Sequence, residues 1–166
     1  MVSDVAGNSK SIRGLVRALA DEVWYVRQEA ASALGELGDP RAVEPLTYLL
    51  EDDDEDVREE AACALGKIGD ARAVDALMRA LHDEDKDVRE EAAWALGRIA
   101  DSRALEALIL ALNDEDDDVR EEVVWAVGRI GGTKAVELLT RLTRDKAPHV
   151  RKAAEEALDY IRTRVG

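Results

Sequence analysis

Apolar positions recur along this chain in two kinds of stripe. Val88, Ala92, Leu96 and Ile99 in the run VREEAAWALGRI have the three-to-four spacing of one helix face, with acids and arginine between them. Val43, Leu46, Leu49 and Leu50 form a shorter stripe of the same kind. The stripes alternate at a fixed interval: Val-Arg stands at 26–27, 57–58, 88–89, 119–120 and 150–151, 31 residues apart each time with no insertion. Around it recurs VREEAAxALGxIGDxRAVxxLxxxLxDxDxD, clearest from Val57 to Asp87 and from Val88 to Asp118. A constant period in the range of about 20–50 residues marks a solenoid.

Each unit reads as two helices. The second is expected to start at an Asp N-cap, Asp85 in one copy with Asp54 and Asp116 equivalent, beside further acids that suit the positive end of the helix dipole. In the last copy Pro148 takes the first helical position. Gly38, Gly69 and Gly131 are expected to end the second helix in left-handed caps, and Asp39, Asp70 and Asp101 to cap the next first helix. Ala100 breaks the glycine rule at a cost of about 1 kcal/mol. Pro45, inside a first helix, predicts a kink. Gly7-Asn8 aligns with Gly38-Asp39, so the pattern predicts five helix pairs in one domain over 1–166, with repeats at about 8–38, 39–69, 70–100, 101–131 and 132–163.

Gly35, Gly66, Gly97 and Gly128 lie mid-helix, where glycine costs about 1 kcal/mol against alanine. Close approach of the following repeat accounts for it. The fifth copy has Asp159 in that column and Glu155 where the others carry Ala31, Ala62, Ala93 or Val124. Such a polar outer face is expected of a terminal unit. The N-terminal end has no comparable cap, which leaves excision from a longer array, or end-to-end stacking, open.

Composition narrows the class. The 166 residues are 46% hydrophobic with no Phe and 4% aromatics, which favours helical packing of small and branched aliphatic side chains. A net charge of −14 argues against nucleic acid and against an anionic membrane surface, both of which are bound through clustered Lys and Arg. The lone Cys63 excludes an intrachain disulfide and a cysteine metal cluster. No apolar run reaches the roughly 18–20 residues needed to span a bilayer. MVSDVAGNSK lacks the apolar segment of a signal peptide, so a soluble, cytoplasmic protein is expected.

With this pattern the chain resembles the HEAT-like repeat proteins, in particular the short bacterial and archaeal type named after phycobilisome lyases and the artificial alpha-repeat proteins built from that consensus. The resemblance covers about Asn8 to Arg162. It implies an all-α, right-handed α-solenoid whose second helices line a concave, partner-binding face. It also implies a ladder of buried Asp and Arg between repeats, here Asp21, Asp52, Asp83, Asp114 and Asp145 with Arg27, Arg58, Arg89, Arg120 and Arg151. Elementary electrostatics supports the ladder independently. Arg one position after the core Val lies at the edge of the buried stripe, where an unpaired guanidinium is expensive. An Asp in the preceding loop is the natural bidentate partner.

Catalytic chemistry finds no constellation. His82 and His149 sit in non-equivalent columns with no ligand spacing, and the His-Glu pairs of the HEAT-like deoxyhypusine hydroxylases are absent. The acidic runs EDDDED and NDEDDD lack the sixth-position Gly and closing Glu of an EF-hand, and helix capping accounts for them. Cys63 has no basic neighbour in sequence and reads as a structural thiol. No catalytic residue, cofactor or metal site is expected.

The surface is more informative. Counted from the core Val, positions −1, +2, +3, +6 and +10 of the second helices share the face away from the core. The +6 column places Trp94 beside Trp125, and both are expected to be substantially exposed. An acidic row, Glu29, Glu60, Glu91 and Glu122, runs on one side, and Glu36, Lys67, Arg98 and Arg129 on the other. Trp24 and Tyr25 add aromatics at the first second-helix. An aromatic pair in a charged groove has the composition of a binding hot spot. Met78, Ile109 and Leu110 at outward columns of the first helices suggest a second contact or self-association through the convex face. The expected function is therefore a non-catalytic scaffold binding a protein or peptide. A subunit of a phycobilin-lyase-like complex and an artificial repeat protein without a natural partner stand as alternatives. Val123 and Val124 in place of Ala, and Ala100 in place of Gly, speak for a natural sequence.

Overall fold

A computed structural model describes residues 11–165. It contains ten α-helices and, among the described residues, no strand. Long helices α2 (Trp24–Leu37), α4 (Glu55–Ile68), α6 (Lys86–Ile99), α8 (Asp117–Ile130) and α10 (Pro148–Val165) alternate with shorter ones. These are α1 (residues 11–18), α3 (Val43–Leu49), α5 (Val74–Ala80), α7 (Leu105–Ala111) and α9 (Thr133–Leu142). The long helices stack in chain order, α2 on α4, α4 on α6, α6 on α8 and α8 on α10, and α3, α5, α7 and α9 each pack on the long helix that follows. The result is an all-α solenoid of two layers with its core between them. The helix boundary aligned at Gly7-Asn8 lies outside the described residues.

Local chemistry sets the helix ends. The Asp54, Asp85 and Asp116 carboxylates accept from backbone N–H groups in the first turns of α4, α6 and α8. Those donors have no partner within the helix. Val23, at the equivalent place before α2, offers no side-chain cap. Gly38, Gly69 and Ala100 end α2, α4 and α6 in the left-handed conformation, with φ of 63°, 72° and 55°. Ala100 is the one non-glycine residue with positive φ among the described residues, a strain of about 1 kcal/mol.

Three expectations are corrected. Asp39, Asp70 and Asp101 cap three-residue 3-10 turns, Pro40–Ala42, Ala71–Ala73 and Ser102–Ala104, that precede the first helices instead of capping those helices themselves. Pro45 causes no interruption, because the 3-10 turn moves the helix start to Val43 and leaves Pro45 in the first turn. There the missing N–H has no acceptor within the helix to lose. Gly131 is not left-handed: φ 75°, ψ −160°, followed by Gly132 at φ 90°, ψ 168°. Gly131-Gly132 stands where the preceding copies have Gly38-Asp39, Gly69-Asp70 and Ala100-Asp101, so the capping carboxylate is gone, and α9 starts directly after a backbone path that only glycine adopts readily.

The glycine column fits the stack. A Cβ at Gly66 would lie 2.8 Å from the Ala95 Cα and collide with the Trp94 ring, and a Cβ at Gly97 would lie 2.9 Å from the Ala126 Cα. Long helices touch backbone to backbone along this line.

Candidate binding face

Two ladders of charge tie the repeats together. In the inner one, each Arg after the core Val reaches forward to the Asp of the next repeat. Arg27 holds Asp52 through Nε and Nη2 at 2.7 and 2.6 Å, Arg58 holds Asp83 at 2.9 and 3.0 Å, and Arg89 holds Asp114 at 2.7 and 3.0 Å. The preceding loop contributes differently from expectation. The Arg58, Arg89 and Arg120 Nη1 groups donate to the backbone carbonyls of Asp52, Asp83 and Asp114 in their own repeats at 2.8–3.0 Å, and the bidentate carboxylate comes from the next repeat. Each of these Asp side chains also accepts from a backbone N–H two residues on, at 2.9–3.0 Å for Asp52, Asp83 and Asp114. Arg58, Arg89 and Arg120 are the buried charged residues among those described. Burial opposes ionisation of Asp52 and Asp114, but their arginine partners hold both carboxyls below the usual range.

The ladder loosens at its end. Arg120 meets Asp145 through one contact of 3.5 Å, turns the same nitrogen to Asp117, and leaves its Nε buried without a partner. Asp21 and Arg151 are the ladder's terminal members: Asp21 accepts from Val23 N–H and Arg151 donates to the Asp145 carbonyl.

The outer ladder was missed in sequence, although its signal, Asp-x-Arg every 31 residues, is plain. Asp70 pairs with Arg72, whose Nη2 reaches the Pro40 carbonyl at 2.8 Å, and Asp101 pairs with Arg103, which reaches the Ala71 carbonyl at 3.0 Å. Asp39, paired with Arg41, is held down at about 2 by that arginine. Gly132-Thr133-Lys134 carries no equivalent, and Lys134 pairs instead with Glu106.

On the face of the long helices the acidic row at Glu60, Glu91 and Glu122 receives no such forks. Glu60 Oε1 and Glu91 Oε2 are enclosed without a hydrogen-bond partner. Burial pushes the carboxyls of Glu59, Glu90 and Glu91 up, and burial together with Glu90, Glu91 and Glu121 pushes Glu122 up to about 7 against the pull of Arg129. Cys63 is pushed up to about 11 by burial and by Glu91, far from a reactive thiolate. Glu29 is exposed on the first repeat.

Trp94 and Trp125 are half-buried, not substantially exposed: both pack against the core cluster, and Trp94 does so over Gly66. The missing Cβ at Gly66 makes a seat for the ring, a contact that follows only from the stacking of α4 on α6. The cationic column is engaged with this floor. Lys67 pairs with Glu36 at 2.9 Å, Arg98 lies 5.7 Å from the Trp94 ring centre, and Arg129 Nε donates to the Gly97 carbonyl at 2.8 Å. Trp24 and Tyr25 are 42% and 53% exposed and meet edge to face at 5.9 Å. In the other layer Leu110 is exposed, whereas Met78 packs partly into the core. Among the described residues one set of possible metal donors forms: atoms of Asp118, Glu121 and His149 lie within 4.8 Å of one another.

Helix pairs stacked in strict sequence order, joined by repeating charge ladders, define an α-solenoid. The chain belongs to the HEAT-repeat family, whose pattern it matches over residues 12–86 and 74–159. No curated protein matches it in sequence. Among solved structures it is similar to a chain of the CpcE–CpcF complex of phycocyanin lyase from Nostoc, with 29% identity and a TM-score of 0.80 over 90% of this chain and 64% of that one, so it spans less than two thirds of that relative. It is also similar to an engineered protein, at 29% identity and a TM-score of 0.72 over 96% of this chain and 83% of that one. A designed armadillo repeat protein in complex with the peptide (KR)4 has 27% identity and a TM-score of 0.68 over 89% of this chain and 80% of that one.

Proposed function

We propose that this protein is a non-catalytic scaffold whose long-helix layer forms a concave face binding an extended protein segment rich in cationic side chains. The observation that carries this reading is the acidic row at Glu60, Glu91 and Glu122, in which Glu60 Oε1 and Glu91 Oε2 are enclosed without a hydrogen-bond partner and burial pushes the Glu122 carboxyl up to about 7. A charge held in a dry environment without a partner is costly. An arriving lysine or arginine relieves that cost, whereas Lys67, Arg98 and Arg129 are already held by other groups. Trp94 and Trp125 beside the row offer flat apolar area and a face for cation stacking. The designed relative with a (KR)4 peptide supports the same chemistry. No described helix is long and apolar enough to cross a membrane.

The test is titration of a fluorescent (KR)4 peptide at low and high salt, against a neutral peptide of equal length. Saturable binding that weakens at least tenfold in Glu60→Gln/Glu91→Gln/Glu122→Gln is expected. Equal binding of the neutral peptide, or an unchanged affinity in that variant, overturns the reading. The similarity to the CpcE–CpcF complex favours a second reading, a subunit of a heteromeric lyase-like assembly. In that case a folded partner, and not an isolated basic peptide, saturates the face.

A further inference from the structure

The charge ladders weaken at the junction between the fourth and fifth repeats. Its inner Arg–Asp contact is a single bond of 3.5 Å where the other three are bidentate at 3.0 Å or less. Its outer Asp-x-Arg clasp is replaced by Gly132-Thr133-Lys134. At the same junction the −1 column carries His149, where the earlier repeats have Tyr25, Asp56, Asp87 and Asp118. The 31-residue period sets that imidazole on α10 next to Asp118 and Glu121, one helical turn apart on α8. His149 Nε2 is enclosed, has no hydrogen-bond partner, and lies 4.0 Å from Glu121 Oε2. The three donor atoms are all within 4.8 Å of one another, so small rotations of half-exposed side chains bring them onto one ion. Lys86, the cation closest to Asp118, approaches it only to 4.0 Å.

We propose that Asp118, Glu121 and His149 form a divalent transition-metal site that clamps the last repeat onto the fourth. One neutral imidazole with two carboxylates suits Zn2+ or a similar borderline cation, at bond lengths of about 2.0–2.2 Å, with solvent completing the shell. An all-oxygen preference such as that of Ca2+ or Mg2+ is poorly served by the imidazole. His149 has no ligand spacing within its own helix, because its partners lie one repeat back on α8.

The experiment is calorimetric titration of the full chain with ZnCl2 at neutral pH, paired with thermal melts at increasing zinc. One site per chain is expected, with a melting temperature that climbs as the free metal exceeds the dissociation constant. His149→Ala and Glu121→Gln should weaken binding at least tenfold and abolish the zinc-dependent rise measured against each variant's own metal-free melt. Mg2+ and Ca2+ should bind at least tenfold more weakly. Absence of saturable zinc binding overturns the proposal. So does binding unaffected by His149→Ala, which assigns the metal to the acidic loops, or an equal response to Ca2+, which makes it non-selective charge screening.

Discussion

Two rows of acidic side chains run the length of this solenoid at the same 31-residue interval, and they have opposite fates. The central aspartates of the inner ladder, Asp52, Asp83 and Asp114, are largely enclosed and matched: each accepts a fork from the arginine of the repeat before it and a backbone N–H from its own loop. The glutamates Glu60, Glu91 and Glu122 on the long-helix face are partly buried and receive no such fork, with enclosed oxygens at Glu60 and Glu91 and a carboxyl at Glu122 pushed up to about 7. A period alone repeats a charge. Whether the charge stabilises or waits for a partner depends on what the neighbouring repeat sets opposite it.

Removing one side of the matched row should have the largest effect. Arg89→Ala leaves Asp114 low in exposure without its guanidinium and should cost roughly 3–5 kcal/mol of unfolding free energy. A urea midpoint equal to wild type would show the pair to be solvated and erase the contrast. Trp94→Ala comes next. Because the indole is half-buried, truncation should cost roughly 2 kcal/mol of stability, less than a fully buried tryptophan, and weaken (KR)4 binding at least tenfold. A stability loss with unchanged affinity would make the ring packing alone.

The unmatched row should respond in the opposite direction. Glu122→Gln should raise stability by about 1–2 kcal/mol at pH 8. The carboxyl titrates at about 7 in the folded chain against about 4.5 unfolded, so the native state binds the extra proton between those values. Wild type therefore gains stability as pH falls from 8 towards 4.5, and the variant should lack that part of the slope in urea titrations across the range. Identical slopes would place Glu122 in water. The smallest effect belongs to neither row: Ala100→Gly should add about 1 kcal/mol by relieving a positive φ, read as a small rise in melting temperature.

Much of the architecture was legible in sequence because each requirement is local. The Asp caps, the left-handed positions at Gly38, Gly69 and Ala100, and the apolar stripes each depend on a few neighbouring residues. Pro45 and Gly131 were misread for the complementary reason. The 3-10 turn before Val43 moves a helix start, and loss of the Asp after Gly131 frees the backbone, so both depend on the geometry of a connection. The outer Asp-x-Arg clasp was visible as a repeated triplet, but its carbonyl acceptor lies one repeat back.

The sequence by itself determined the period, the two-helix unit, the buried stripe and which residue types fill each column, because helix periodicity and capping are short-range. Only the tertiary structure decided which repeat supplies each partner: that Arg89 reaches forward to Asp114, that Gly66 seats the Trp94 ring, and that His149 comes to face Glu121. Those pairings depend on the stagger and rotation between stacked helices. A fixed 31-residue interval leaves both free until side chains pack and the backbones touch.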